Sequence, residues 1–304
     1  MFDKIARNWR HPEKIIIKIG KISSIIPDKI YLRAYYYNVF GKELNLKHPQ
    51  TFNEKIQWLK LYDRHQVYTT MVDKCSAKTF AEHTCGGALK VVQTLGVWEH
   101  FDDIDLNALP QKFVLKCTHD SGGVVICKDK ITFDREAAKK KINKCLKRDF
   151  YLSGREWPYK NVPRRIIVEE YLESLEADGL ADYKLMVFNG KVKATFVCTD
   201  RFSNDGVKIT IFDREWNRLS VKRHHPNSGV EISKPKTYDT MVLCAEKLAE
   251  GIPFLRVDFY EIEGQLYFGE MTFYPGSGFE KFEPECWDKR FGDLLDISKI
   301  QERL

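Results

Sequence analysis

The sequence predicts a mixed α/β (α+β) chain. Helix-period and strand-type patterns alternate along its 304 residues, as they do in folds that layer helices on sheets. An apolar content of 43% at this length supports a sizeable core and one or two domains. Charged residues make up 30%, and no long low-complexity tract interrupts the pattern, which excludes a globally disordered chain.

From the N-terminus, residues 12–26 have the pattern of an amphipathic helix. Ile15, Ile19, Ile22 and Ile26 recur at helical spacing beside a basic stripe of Lys14, Lys18 and Lys21. Pro27 ends it. Such a helix either packs on the body of the protein or lies on an anionic membrane surface or an acidic polymer. Tyr35-Tyr36-Tyr37 fall in a second helix that stops near Gly41. Thr51-Phe52-Asn53-Glu54 has the form of a capping box and opens a helix through Ile56, Leu59 and Lys60. One more helix is expected from Val67 to Glu82, before Gly86-Gly87. Short β-rich runs follow at Val91-Val92, Phe113-Val114-Leu115 and Val124-Val125-Ile126. Residues 134–150 read as a basic helix with a solvated face, and Ile166-Ile167-Val168 as a buried strand. Leu185–Phe188 and Val192–Val197 flank Asn189-Gly190, a hairpin signal. A helix over 237–250 ends at Gly251, and a hairpin over residues 254–272 closes the body.

Charge and cysteine usage narrow the setting. The net charge is +6, but residues 1–60 alone carry 12 Lys/Arg against 5 Asp/Glu. The basic excess therefore belongs to the N-terminus, and no nucleic-acid partner is expected. Eight cysteines are scattered without a C-x-x-C pair, and no signal-peptide pattern is present. Reduced thiols in a cytoplasmic protein fit this usage. The spacing offers no zinc site, His224-His225 included. No apolar run reaches the length of a membrane span.

Three segments carry chemistry. In Phe113–Cys127 a strand delivers Lys116 and a loop with Ser121, Gly122 and Gly123 follows. A lysine beside mobile backbone donors suits a polyphosphate, although a plain Gly-rich turn has the same look. The P-loop pattern is absent. In Ile166–Leu172 an apolar strand runs into Glu169-Glu170 and Tyr171-Leu172, which serves either as an adenine-binding hinge or as a strand ending in solvated charge. In Phe254–Thr272, a three-residue loop Ile262-Glu263-Gly264 would set Asp258 opposite Phe268 and Arg256 opposite Glu270. Arg256, Asp258, Glu270 and Thr272 then share one face. Two carboxylates and an arginine among apolar neighbours need partners. Mg²⁺ on nucleotide phosphates is one answer, and an Arg–Glu cross-strand pair is the other.

In this order the segments resemble the ATP-grasp enzymes, and more specifically their TupA-like branch of teichuronopeptide and bacterial surface-polysaccharide biosynthesis. Leu44–Arg64, Val72-Asp73-Lys74, Phe113–Lys116, Phe268–Gly278 and the tail Pro284…Asp288…Gly292 carry the likeness. It implies two α+β lobes clasping ATP. The chain then divides into a basic helical region (1–65), a preceding segment (66–112) and an ATP-grasp domain (113–304). Within that domain a Gly-rich-loop lobe covers 113–170 and a metal-binding lobe 171–304.

The resemblance also assigns roles. Lys74, Lys116 and the 121–123 loop hold ATP phosphates. Glu169, Tyr171 and Leu172 form the adenine hinge, with Glu176 on the ribose. Lys184 reaches the terminal phosphate, Arg256 is catalytic, and Asp258 and Glu270 bind Mg²⁺. Many relatives end the last motif E-x-N, whereas this chain has Glu270-Met271-Thr272, which leaves the number of metal ions open. The implied activity is carboxylate–amine ligation through an acyl-phosphate, with an acidic, uronic-acid glycan or an amino acid supplying the carboxylate. The basic N-terminus suits an acidic acceptor or the inner membrane face. A glycosyltransferase is the competing class, since Asp103-Ile104-Asp105 forms a D-x-D. Protein-kinase and serine-hydrolase readings lack their motifs.

Overall fold

A computed structural model describes residues 23–172, 180–200 and 206–302. The amphipathic pattern over 12–26 lies outside them except for its last residues. Ser23–Ile25 form a 3₁₀ turn, and helix α1 (Asp28–Phe40) follows Pro27 and ends on left-handed Gly41. Helix α2 (Phe52–Tyr62) begins with the predicted capping box, in which Thr51 accepts from the Glu54 N–H and Glu54 accepts from the Thr51 N–H.

The single helix expected over Val67–Glu82 is two, α3 (Gln66–Val72) and α4 (Ser76–Cys85). Asp73 breaks it. Its carboxylate accepts from the Cys75 N–H and the Ser76 hydroxyl, both at 3.2 Å, and pairs with Arg165 at 2.9 Å. These bonds compete with the helical pattern. The Lys74 N–H is redirected to the Thr118 carbonyl.

Two antiparallel sheets organise the rest. The four-stranded sheet, ordered β1-β4-β2-β3, contains β1 (Thr94–Trp98), β2 (Phe113–Cys117), β3 (Val124–Cys127) and β4 (Ile166–Glu170). Val91-Val92, expected as a strand, precedes it; only Lys90 makes a bridge there, to Tyr267. The basic helix α5 (Arg135–Leu146), capped by Asp134, packs Ala138 and Ile142 under this sheet with Phe113, Leu115, Ile166 and Val168. The short helix α6 (Phe150–Gly154) follows it.

The five-stranded sheet, ordered β10-β9-β5-β6-β7, contains β5 (Asp182–Phe188), β6 (Lys191–Thr199), β7 (Lys208–Asp213), β9 (Phe254–Ile262) and β10 (Gln265–Thr272). A small ribbon pairs β8 (Lys222–Arg223) with β11 (Phe282–Glu283). Asn189 and Gly190, both at positive φ, make the β5–β6 turn as expected. Helices α7 (Tyr238–Leu248) and α8 (Cys286–Leu294) cover the large sheet, and α9 (Ser298–Gln301) ends the described chain.

The N-terminal helices share the large core. Phe52 of α2 lies among Phe254, Phe188 and Phe291, with ring centres at 5.0, 5.9 and 6.4 Å. Among the described residues no helix is long and apolar enough to cross a membrane.

The β9–β10 hairpin departs from the expected register. Its loop has two residues, Glu263 and Gly264, both at positive φ, rather than three. Ile262 pairs with Gln265 and Phe259 with Phe268. A bulge at Gly269 then brings Asp258 opposite Glu270 and Arg256 opposite Thr272. A two-residue turn alone would have put Glu270 opposite Val257, on the other face. The bulge restores the shared face of Arg256, Asp258, Glu270 and Thr272 by a different route. A side chain at 269 would come within 2.9 Å of the Asp258 carbonyl, so this position needs glycine.

Candidate active site

The hairpin presents a compact ion cluster. Arg256 grips Asp258 with two nitrogens, at 2.7 and 2.8 Å, and reaches Glu270 at 2.8 Å. Lys184, beside Asp258 on the neighbouring strand β5, bonds Asp258 at 2.5 Å and Asp182 at 2.6 Å. Asp182 was not anticipated as a site residue; its i, i+2 spacing from Lys184 places both on one face of β5.

Burial alone would lower the pKa of Lys184 and of Arg256. Asp182 and Asp258 outweigh it at Lys184, Asp258 and Glu270 outweigh it at Arg256, and both cations end above their ordinary values. Asp258 is only 1% exposed, and burial raises its pKa against the pull of Arg256 and Lys184. Glu270 differs. Its side chain is 44% exposed. Burial there pushes its pKa up, but Arg256, Lys74, Lys184 and Lys116 together bring it down to about 2. Cations from four separate pieces of chain therefore act on one carboxylate.

Lys116 projects from β2 and pairs with Glu169 of β4 at 2.5 Å; Lys78 of α4 pairs with the other oxygen of Glu169. Glu169 is 3% exposed, and these two lysines bring its pKa below the ordinary value although burial alone would raise it. Its side chain thus orients lysines. Tyr171 and Leu172 follow β4 half-buried, while Glu176 lies outside the described residues.

Lys74, exposed to the loop by the α3–α4 break, donates to the Asp120 carbonyl at 2.6 Å. The loop is anchored on its first side. Thr118 bonds the Pro163 and Arg165 carbonyls, and His119 and Asp120 are buried. Ser121 and Gly122 are exposed, and Gly122 has φ +95°. Gly123 packs so closely on Cys145 that a Cβ would approach its sulfur to 3.0 Å.

The donor set suits a nucleotide phosphate chain and a metal that the phosphates share. Lys74, Lys116, Lys184 and Arg256 can face anionic oxygens. Among the described residues no group of three His, Cys, Asp or Glu side chains is gathered for a metal. Glu270, with Asp258 opposite, offers carboxylate oxygen to an ion that keeps phosphate and water as its other ligands, the habit of Mg²⁺.

The family model described as TupA-like ATPgrasp matches residues 54–296. The chain belongs to the TupA-like ATP-grasp family. No curated protein matches it. Solved structures with a similar fold include three ligases. D-alanine–D-alanine ligase from Bacillus anthracis, complexed with ATP, is 14% identical with TM-score 0.39, over 67% of this chain and 55% of that one. The same enzyme from Helicobacter pylori is 14% identical with TM-score 0.41, over 75% and 63%. L-amino acid ligase from Bacillus licheniformis is 14% identical with TM-score 0.43, over 74% and 49%. The chain thus spans less than two thirds of the length of each.

The long block of the TupA-like resemblance, Leu44–Arg64, has a structural use that sequence reasoning missed. Helix α2 buries a polar edge against the loop that follows β10. Asn53 donates to the Glu280 carbonyl at 3.0 Å, and Gln57 to the carbonyls of Ser277 and Gly278 at 3.0 and 2.8 Å. Lys60 is fully buried and donates to the carbonyls of Ser277 and Gly154, both at 2.7 Å, and to Gln57 at 3.0 Å. Burial lowers its pKa to about 7, and Glu156 opposes that shift. The Ser277 hydroxyl donates to Glu156 at 2.6 Å. Asn53, Gln57 and Lys60, spaced at four and three, were the available signal: three polar residues on one stripe of the helix, beside the apolar Phe52, Ile56 and Leu59. The Asp103/Asp105 pair of the competing reading sits in an exposed turn, where Asp105 accepts from the Asn107 N–H at 3.0 Å.

Proposed function

We propose that this TupA-like ATP-grasp chain is a Mg²⁺- and ATP-dependent carboxylate–amine ligase of bacterial capsular or cell-surface polysaccharide biosynthesis. Its carboxylate substrate is an acidic, uronic-acid sugar or glycan, and an amino compound is the second substrate. One observation supports this above the others. Arg256 bonds both Asp258 and Glu270, which stand opposite each other, Lys184 bonds Asp258, and Lys74 and Lys116 lie near enough to help lower the Glu270 pKa. A phosphoryl group in transfer calls for such positioned cations beside metal-binding carboxylates.

In this reading Lys74 and Lys116 hold the phosphates under the Ser121–Gly123 loop, and Lys184 lies against the terminal phosphate. Tyr171 and Leu172 flank the adenine, with Glu176 on the ribose. Asp258 and Glu270 would hold Mg²⁺, which would offset charge on the phosphate oxygens. A substrate carboxylate oxygen attacks the terminal phosphorus, the bond to the bridging oxygen breaks, and ADP leaves. The amine nitrogen then attacks the acyl carbon, phosphate departs, and the nitrogen loses a proton. Arg256 offsets the negative charge that grows in both steps.

An ADP-release screen of amino acids and amino sugars against uronic-acid oligosaccharides tests the proposal. ADP should appear only when a carboxylate and an amine are both present. Consumption of a nucleotide-sugar with ATP left intact would replace the ligase with a transferase.

A further inference from the structure

Beside the Arg256–Glu270 cluster a lysine, a glutamate and a serine meet in an arrangement that costs stability. Lys60 and Glu156 are both buried. Ser277 has φ 55° and ψ 19°, a left-handed conformation that is unfavourable for a residue with a Cβ. Gly276 and Gly278 on either side have positive φ too, but glycine tolerates it. Ser277 lies between the two charges. Its carbonyl accepts from Lys60 at 2.7 Å, and its hydroxyl donates to Glu156 at 2.6 Å. The other close bonds of Lys60 go to neutral acceptors, the Gly154 carbonyl at 2.7 Å and the Gln57 side-chain oxygen at 3.0 Å. The Phe279 ring closes over the ammonium at 4.6 Å. A methionine would fill this space without desolvating a charge.

The location gives the arrangement a use. Gly154 ends α6, and from there the chain runs through Glu156 and the 3₁₀ turn Trp157–Asn161 into β4, whose Glu169 holds Lys116. Ser277 follows β10, which carries Glu270. Lys60 thus joins the chain entering the small sheet to the chain leaving the large one. The contact is tight, because a Cβ at Gly154 would come within 2.0 Å of the Ser277 Oγ. On its other side the turn is held by Arg223, which donates to the Pro275 carbonyl at 2.7 Å. The charges of Arg256 and Glu270 act on Glu156 and on Tyr159 of the 3₁₀ turn, so the junction adjoins the site.

We propose that Lys60 is a positioning residue for bound Mg²⁺–ATP: by locking Gly154 to Ser277 it fixes how Lys116 of the small sheet faces Asp258 and Glu270 of the large one. The inference rests on the ligase reading of this site. Strained and buried polar groups persist where the surrounding structure uses them, and here three of them sit at one junction between the two sheets. A metal shared with the phosphates engages the carboxylates of the large sheet and the cations of the small one together, so its binding needs the junction. ATP without a metal, held mainly by Lys74, Lys116 and the residues after β4, does not.

Calorimetric titration of the full chain with a non-hydrolysable ATP analogue, in Mg²⁺ or in a chelator, tests it. Lys60→Met combined with Glu156→Gln removes both buried charges, an exchange that often leaves stability unchanged or improved. This double variant should melt at or above the wild-type temperature. It should nevertheless bind the analogue in Mg²⁺ about tenfold more weakly, the scale of one charge-assisted hydrogen bond. Its binding in chelator should match the wild type. Ser277→Ala keeps the turn and breaks its bond to Glu156, and should show the same split. Wild-type affinity of both variants in Mg²⁺ overturns the inference. So does an equal loss with and without Mg²⁺, which would make Lys60 a packing element. A wild-type chain that binds no analogue in either condition overturns the ligase reading itself, and this inference falls with it.

Discussion

Asp258 and Glu270 stand opposite each other in one hairpin, yet their surroundings predict different responses to the same chemical change. Asp258 is enclosed by Arg256 and Lys184. Asp258→Asn leaves those cations under-compensated, which costs about 3 kcal/mol when a buried pair loses one partner. Glu270 is half-open and holds one arm of Arg256, so Glu270→Gln should lower the melting temperature less than Asp258→Asn does. Both variants should lose ATP turnover, because each removes a charged oxygen from the proposed phosphoryl site. Equal melting of the two, with turnover retained, would remove both from the chemistry. Protons supply a second check. Glu270 titrates at about 2 in the folded chain against an ordinary 4.5. A depressed carboxyl contributes stability above its unfolded pKa and loses it as pH falls through the folded one. Acid titration of the wild type should therefore show a loss between pH 4.5 and 2 that Glu270→Gln reduces. Most of these residues were readable from the sequence, because period-two alternation puts Arg256, Asp258 and Glu270 among apolar neighbours. Lys60 and Lys78 were not, because a lysine on an amphipathic helix ordinarily marks the solvent face. Only the partner elements reveal that each is turned inward.

At the scale of elements, turns and caps were the most readable features and register the least. Asn189-Gly190 and Thr51…Glu54 act locally, so their chemistry fixes their geometry. The β9–β10 register depends on a bulge whose cause is a close approach between strands. Gly269 shows in the sequence only as a glycine inside a strand, a pattern that does mark bulges. Gly269→Ala puts a methyl group within 2.9 Å of the Asp258 carbonyl. It should destabilise the chain by about 2 kcal/mol in denaturant titration, within the range for overpacking, and should abolish turnover by displacing Glu270 from Asp258. A variant as stable and as active as the wild type would show that the bulge does not set the site. The Gly-rich loop carries a separate expectation. Thr118–Asp120 are already anchored, so the movable part narrows to Ser121-Gly122. Amide exchange there should slow when a non-hydrolysable ATP analogue binds, while 118–120 change little. Uniform slowing across 118–124 would mean that the whole loop moves.

On the scale of the whole molecule, the alternation of patterns revealed a mixed α/β chain but not how its strands divide into two sheets or how the chain shares its cores. Residues 28–62 sit in the same apolar cluster as the five-stranded sheet, a long-range packing that no local pattern reports. The site draws on the whole assembly: Lys116 from the small sheet, Lys184 and Arg256 from the large one, and Lys74 from the break between α3 and α4. Around it Lys74, Lys78, Lys116, Lys184 and Arg256 face Glu169, Asp182, Asp258 and Glu270, so the charges nearly balance. A free metal ion meets carboxylates already engaged by Arg256 and Lys184. Free ATP meets lysines already engaged by Glu169, Asp182 and Asp258. Neither ligand alone offers the counter-charges that would release these pairs, but the two together do, because phosphates can draw the cations while the metal takes the carboxylates. The prediction is strong coupling. Mg²⁺ alone should leave the melting temperature unchanged, ATP with a chelator should raise it slightly, and the two together should raise it most, since ligand stabilisation follows occupancy. Glu270→Gln should remove the synergy while sparing the small ATP-only effect. Equal stabilisation by ATP with and without Mg²⁺ would mean that the carboxylates hold their cations throughout, and the pair would then be structural.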